Sequence, residues 1–424
     1  MDVSNDEQNE NWDIYFIDGP INPSFLLKMK PYQRVNRLPG IQVLSRKNLL
    51  AQNLEKMQMM YPEHFNFFPE TWILPQDGKK FRQQFLDSTE RETYIVKPEA
   101  NCQGKGIFLT KSMNFLQNLA TEHYVIQRYL NNPYLLDGLK FDLRVYVLIT
   151  GVNPLRAYIF KDGLARFSTE KYQKPTNSNI TNLQMHLTNY AINKDSDQFI
   201  FNKDSFKDDV GHKRSIKAIL KQISEDESIQ LQTWYQIKNV IMMTIISGLP
   251  QIQHLYKSSK PDDFENSLCF HILGFDIFLD QDLKPWLLEV NQSPSFTTDT
   301  PLDYRIKSQL IQQTIKLLNL SQKRKNRYIK HEKIELKKRV AYGRTILTSD
   351  EKEQIKGKKQ RIKDKFEFNN LDDNFELLFP AEQQNYELNV LYEEMIEKSF
   401  AAWSQSMYGY LSKKSKEHLD KTLR

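Results

Sequence analysis

A chain of 424 residues, 39% of them hydrophobic and 26% charged, is long enough for about two to four domains with real cores. With only two cysteines, Cys102 and Cys269, a disulfide framework and a cysteine-rich zinc site are both excluded, and a reducing compartment fits. The formal charge of +6 is modest, so its distribution along the chain matters more than its size.

Residues 1–12 read as a flexible acidic N-terminus. No apolar run reaches the roughly 20 residues of a membrane span, and the N-terminal segment lacks the basic-then-apolar order of a secretory signal. The expectation is a cytoplasmic protein with no membrane partner. Residues 13–93 read as a small α/β lobe. In it Leu49, Leu50 and Leu54 recur at helical spacing behind a Pro-Gly turn, with Lys47 at the helix start. No chemistry is assigned to this lobe.

Residues 94–149 read as a central lobe. Tyr94–Pro98 is a strand carrying Lys97, and the Gly-rich NCQGKGI follows. Backbone N–H groups at Gly104 and Gly106 can approach phosphate while Lys97 and Lys105 neutralise it, although such a tripeptide is also an ordinary hairpin turn. The spacing fits neither a P-loop nor a dinucleotide fingerprint. Val125–Leu130 is a second strand, whose Gln127 and Tyr129 share a face that can line an adenine slot or simply face a core. In LKFDLRVYVL, alternation places Lys140, Asp142 and Arg144 on one face and Phe141, Leu143 and Val145 on the other. The apolar continuation buries the strand, so the charged face looks into a cleft, where cations can hold a γ-phosphate.

Residues 150–320 read as a third lobe. LRAYIFKDGLARFST predicts strand, Asp162-Gly163 turn, strand, with Arg166 emerging from the second strand. His186, Thr188, Asn189 and Tyr190 follow in QMHLTNYAINK, His186 reading as structural rather than as a base. A long helix over Trp234–Tyr256 leads to FHILGFDIFLD and PWLLEVNQSPSF, a hairpin about Asp280-Gln281-Asp282. Glu289 and Asn291 share one face, and Asp276 on the partner strand can join them. Two carboxylates and an amide oxygen suit a hard ion such as Mg²⁺ that shares its other positions with water and phosphate. An ordinary polar surface hairpin is the competing reading, but the apolar neighbours of Glu289 hold an unpaired carboxylate only at a cost. Asp303–Leu318 is an amphipathic helix. Residues 321–424 form a basic, mainly helical extension, either a solvated charged helix or a polycation for an anionic partner.

Taken together, YIVKPEANCQGKGI, VIQRYL, LKFDLRVYVL, GLARFST, MHLTNYAINK, LGFDIFLD and PWLLEVNQSPSF occur in the order of the tubulin–tyrosine-ligase-like family, and the glutamylating branch is the one they resemble. The resemblance covers roughly Arg37 to Leu320. It implies an α/β, ATP-grasp-like fold and an ATP-dependent carboxylate–amine ligase that adds L-glutamate to tubulin tails, with Mg²⁺ (or Mn²⁺) as the metal. By resemblance, Lys97, Gln103, Gly104, Gln127, Arg128, Tyr129, Leu130, Lys140, Asp142, Thr188 and Asn189 are nucleotide contacts. Arg144 faces the γ-phosphate; with Lys140 and Glu289 it forms the expected catalytic set. Arg166 and Tyr190, with Lys213 and Lys307, are the expected binders of free glutamate, and Asp276, Glu289 and Asn291 the metal ligands. The resemblance further implies a monomer without nucleic acid, a basic extension that docks on microtubules, and a place on the cytoskeleton, in the cilium axoneme or basal body. His271, where relatives often carry Glu, and Gln292 depart from the pattern. A glycine ligase of the same architecture and a catalytically inactive microtubule-binding protein are the alternatives.

Overall fold

The computed structural model describes residues 10–88, 92–99, 104–119, 122–204, 207–342, 348–380 and 386–422. At the N-terminus β1 (Ile14–Tyr15) and β2 (Arg34–Val35) pair in parallel around α1 (Pro23–Lys28), whose first turn is capped by the Asn22 side chain. After α2 (Gln42–Ser45), α3 (Lys47–Met60) buries Leu50, Leu54 and Met57, the face expected from the leucine spacing. Four elements then build a small antiparallel sheet: β3 (Thr71–Ile73), β4 (Tyr94–Pro98), β5 (Phe108–Thr110) and β6 (Tyr124–Arg128), in the order β3-β6-β4-β5. Two helices, α4 (Gly78–Asp87) and α5 (Leu116–Leu119), accompany it; Trp72, Tyr94, Val96 and Ile126 pack with Phe81 into its core.

The larger sheet holds β7 (Leu135–Leu136), β8 (Leu139–Val152), β9 (Leu155–Lys171), β10 (Lys213–Ser215), β11 (His271–Leu279) and β12 (Pro285–Asn291). Its main order is β10-β9-β8-β11-β12, all antiparallel. Between its strands lie α6 (Leu183–His186), α7 (Tyr190–Asn193), α8 (Ile216–Ile223) and the long α9 (Glu227–Ser259), and α10 (Pro301–Leu317) follows. Phe141, Leu143, Val145 and Val147 on β8 join Ile237, Ile241 and Ile245 of α9 in the main core. That burial leaves Lys140, Asp142 and Arg144 on the opposite face.

The Asp162-Gly163 hairpin expected from the sequence does not form. Both residues lie inside β9, at a register shift where Val145 faces Gly163 and Val147 faces Ile159, and the chain reverses at Asn153-Pro154 instead. A Cβ on Gly163 would stand 2.3 Å from the Arg144 carbonyl oxygen, so this glycine serves close strand approach rather than reversal. The expected lobe divisions also fall within paired elements: the small sheet takes β3 from the 13–93 region, and 149/150 lies inside β8.

The remaining elements are α11 (Gln322–Tyr342), α12 (Ser349–Asn370), β13 (Phe375–Phe379) and α13 (Tyr386–Thr422). This segment is not a detached basic arm. Strand β13 pairs with β9, while Tyr392 and Met395 of α13 enter the main core. On α12 the Glu367 carboxylate is buried against Arg156 and the Tyr158 hydroxyl, and Lys363 Nζ donates to the Thr150 and Asn266 carbonyls at 2.7 and 2.6 Å. Among the described residues no helix is long and apolar enough to cross a membrane.

Candidate active site

Strand register builds a row of charges across the larger sheet. Lys213 on β10 faces Arg166 on β9, Arg166 faces Asp142 on β8, Arg144 faces Asp276 on β11, and Asp276 faces Glu289 on β12. The row runs from two cations at the β10 end to two carboxylates at the β12 end, and the ion pairs at its centre are direct. Arg166 donates to Asp142 and, at 2.7 Å, to Asp276 Oδ2. Arg144 donates to Asp276 Oδ1 at 2.5 Å and Oδ2 at 3.0 Å. Burial alone would raise the Asp276 carboxyl, but the two guanidiniums outweigh it and hold it well below the usual carboxylate range.

At the β12 end the Asn291 amide nitrogen lies 3.3 Å from Glu289 Oε1 and 3.4 Å from Asp276 Oδ2. Burial, then the neighbouring Asp276 charge, pushes the Glu289 carboxyl up. Two neighbouring carboxylates, Asp276 buried and Glu289 half-buried, beside an amide that can turn its oxygen toward them form a hard-donor set with room for a cation's charge, so these residues fit a divalent ion. Among the described residues no group of three His, Cys, Asp or Glu side chains suits a metal, in keeping with a set that relies on Asn291.

Asp142, Arg166, Asp276 and Glu289 of this row line one side of a cleft, and the small sheet forms the other. Lys97, Gln127, Arg128, Tyr129, Leu130, Lys140, Asp142, Arg166, Thr188, Asn189, Asp276 and Glu289 all line it, with Ile95, Ile107, Leu187 and Phe278 as apolar walls. Lys97 Nζ donates to Gln127 Oε1 at 2.6 Å. Lys140 Nζ donates to the Tyr129 hydroxyl at 2.8 Å and the His186 carbonyl at 3.0 Å. Burial pushes Lys97 down to about 8 and Lys140 down to about 7. Both amines sit in an apolar slot with too little negative charge beside them to keep their protons as firmly as an exposed lysine, the condition a polyphosphate relieves. Arg128 differs from the rest, since its guanidinium is spent on Glu70 at 2.8 Å and Glu92 at 3.0 Å. Gly104 has φ of +80°, and a Cβ there would meet Ile192 at 2.6 Å and Asn189 at 3.5 Å, so the glycine loop rests on α7 at the cleft. Gln103 lies outside the described residues.

Tyr190, Lys213 and Lys307 gather beyond Arg166 around the wholly buried Asp303. Lys213 Nζ lies 2.8 Å from Asp303 Oδ2 and 3.7 Å from the Tyr190 ring centroid, and Lys307 Nζ lies 3.1 Å from Asp303 Oδ1. Thr300 caps α10 at the same point by accepting the Asp303 N–H. The His186 carbonyl accepts from Lys140 Nζ and the Tyr129 hydroxyl, and its ring Nε2 lies 3.1 Å from the Asn179 carbonyl. Two residues escaped the sequence reading. Asp303 was read only as part of an amphipathic helix, and Lys47, the first residue of α3, lines a pocket with Lys97, Gln127 and Glu289. The lysine at that helix start carried no periodic signal of its own; only folding brings it to β12.

A model of the tubulin-tyrosine ligase family matches residues 25–327. The chain belongs to the tubulin-tyrosine ligase family. Three curated relatives in this family are similar over most of the chain. A probable beta-tubulin polyglutamylase of Tetrahymena thermophila is 50% identical over 89% of this chain and 32% of its own length. A tubulin polyglutamylase of Danio rerio is 38% identical over 88% of this chain and 47% of its own. One of Homo sapiens is 42% identical over 77% of this chain and 36% of its own. The chain thus spans 32–47% of the length of these relatives. The mixed α/β architecture is in keeping with the ATP-grasp-like fold expected for the tubulin-tyrosine ligase family.

Proposed function

We propose that this protein is an ATP- and Mg²⁺-dependent tubulin polyglutamylase, joining L-glutamate to glutamate side chains on tubulin tails. The observation that carries the reading is a cleft in which Asp142, Arg166, Asp276 and Glu289 of the charged row face two buried lysines, Lys97 and Lys140. The names of the relatives, all polyglutamylases, support the choice of amino acid and acceptor.

In this reading ATP lies between the two sheets. The Gln127–Leu130 segment holds the base, while Lys97 and Lys140 meet the phosphates and gain their full charge as they do so. Thr188 and Asn189 close the slot beneath the glycine loop, and Lys47 reaches the same end from α3. Asp276, Glu289 and Asn291 would hold Mg²⁺, which when bound neutralises charge on the transferring phosphoryl group. An acceptor carboxylate oxygen attacks the γ-phosphorus and ADP leaves, giving an acyl phosphate. Arg144, held rigidly by Asp276, faces the charge that builds up in this step. The amine of free glutamate then attacks the acyl carbon, phosphate departs and the amine loses a proton. Arg166 can fork a carboxylate of the incoming amino acid, and Lys213, Lys307 and Tyr190 lie beyond it, the two lysines shared with Asp303 and Asp299. The chain supplies positioning and charge rather than a covalent nucleophile. Within it, the β3–β6 unit and the larger sheet act as the two nucleotide-enclosing lobes, and the exposed basic face of α11 docks on microtubules, including those of cilia.

Mass spectrometry of microtubules incubated with the protein, ATP, Mg²⁺ and equal labelled glutamate and glycine tests this. Glutamate mass steps that vanish in Glu289→Gln are expected. Glycine steps would replace the amino acid in the reading, and unmodified but bound microtubules would overturn the enzymatic one.

A further inference from the structure

Asn291 is the last residue of β12, and the chain from Gln292 to Asp299 runs without regular structure to the α10 cap. Of these eight residues only Pro294 is buried. Behind the segment lies a cavity of about 380 Å³ walled by Phe16, Phe270 and Phe296, so packing does little to hold it in place. Hydrogen bonds do so instead. The Gln292 carbonyl accepts from His271 Nε2 at 2.7 Å and from Arg37 Nη1 at 3.2 Å. Arg37 Nη2 also donates to Ser293 Oγ at 3.0 Å. His271 Nδ1 accepts the Leu38 N–H at 3.2 Å, which assigns the ring proton to Nε2 and makes His271 the donor to Gln292. Arg37 and His271 are 5% and 1% exposed, and neither lines the cleft described above.

We infer that Arg37 and His271 are positioning residues for the metal site: by clamping the Gln292 carbonyl they stop β12 from fraying at Asn291 and hold its amide beside Glu289 and Asp276. The inference rests on the metal site of the proposed function. It gives a physical reason for a histidine at 271. The site needs one atom that accepts from Leu38 and one that donates to Gln292, which histidine offers and glutamate does not. Outer partners of this kind typically change metal affinity by about 10- to 100-fold when removed.

The test titrates Mn²⁺ into the full chain with a non-hydrolysable ATP analogue and reads free Mn²⁺ by electron paramagnetic resonance, with thermal unfolding in metal-free buffer as the check on folding. Arg37→Met and His271→Glu are expected to raise the half-saturating Mn²⁺ concentration by about tenfold or more, and His271→Gln, which keeps both an acceptor and a donor, by less than about threefold. Should His271→Glu fail to fold, Arg37→Met and the glutamine variant still decide. Unchanged Mn²⁺ binding in folded Arg37→Met, with binding lost in Glu289→Gln, would overturn the positioning role and leave the metal site standing. Binding that survives Glu289→Gln would remove the metal site and the inference with it.

Discussion

Arg144 on β8 and Asp276 on β11 stand opposite each other and share two hydrogen bonds, at 2.5 and 3.0 Å. The same carboxylate also receives Arg166 at 2.7 Å, so one buried aspartate answers two guanidiniums.

Asp276→Asn therefore leaves two buried cations short of a counter-charge. Breaking a buried pair from one side costs about 3–5 kcal/mol, and the variant should melt well below the unchanged protein in a thermal scan, besides losing ligase activity. Glu289→Gln removes one of two repelling carboxylates instead. It should melt no lower in metal-free buffer while activity falls by about a hundredfold or more.

Lys140 and Lys97 predict a proton linkage. Their folded pKa values, about 7 and about 8, lie below the roughly 10.4 of an unfolded lysine, so the native state binds fewer protons between these limits. Below about pH 7 both states are charged and the penalty of burial is complete; stability contributed by these groups rises as pH climbs from about 7 toward 10. Nucleotide phosphates reverse the shift. ATP binding at pH 8 should take up protons, seen by calorimetry in buffers of different ionisation enthalpy, and the uptake should shrink in Lys140→Arg, whose side chain stays charged.

The C-terminal segment should prove inseparable from the core. Glu367→Ala leaves Arg156 buried without its main partner and should cost about 3–5 kcal/mol by chemical denaturation. Truncation after Leu320 strips β13 from β9 and uncovers core beneath α13, and should yield protein without a cooperative unfolding transition.

The exposed face of α11 should behave differently. Charge reversal at Lys337, Lys338 and Arg339 touches no core residue and should weaken microtubule co-sedimentation and its salt dependence, while modification of a short tubulin-tail peptide is unchanged. Equal loss on both substrates would assign these residues to the catalytic core.

Local pattern carried much of the site. Alternation on β8 was enough to separate Lys140, Asp142 and Arg144 from Phe141, Leu143 and Val145, because a strand's period of two leaves no other arrangement once one face is buried. The β11–β12 hairpin was equally legible, since its short polar turn forces antiparallel neighbours, but the turn's own register would set Asp276 against Leu288, and a bulge at that point brings it opposite Glu289 instead. The Asp162-Gly163 pair misled because a turn dipeptide and a bulge dipeptide use the same residues; only the approach of the Arg144 carbonyl decides between them.

By itself, then, the sequence determined which side chains share a face and which family the motifs resemble, both properties of near neighbours in the chain. Tertiary structure alone decided that β10, β9, β8 and the β11–β12 hairpin lie side by side, which turns separate short motifs into one row of charge. It also decided that Lys47 and Arg37 reach the β12 end, that Asp303 gathers two lysines, and that β13 is part of the larger sheet. These are contacts between residues far apart in sequence, set by how sheets and helices bury their apolar faces, and no local periodicity encodes them.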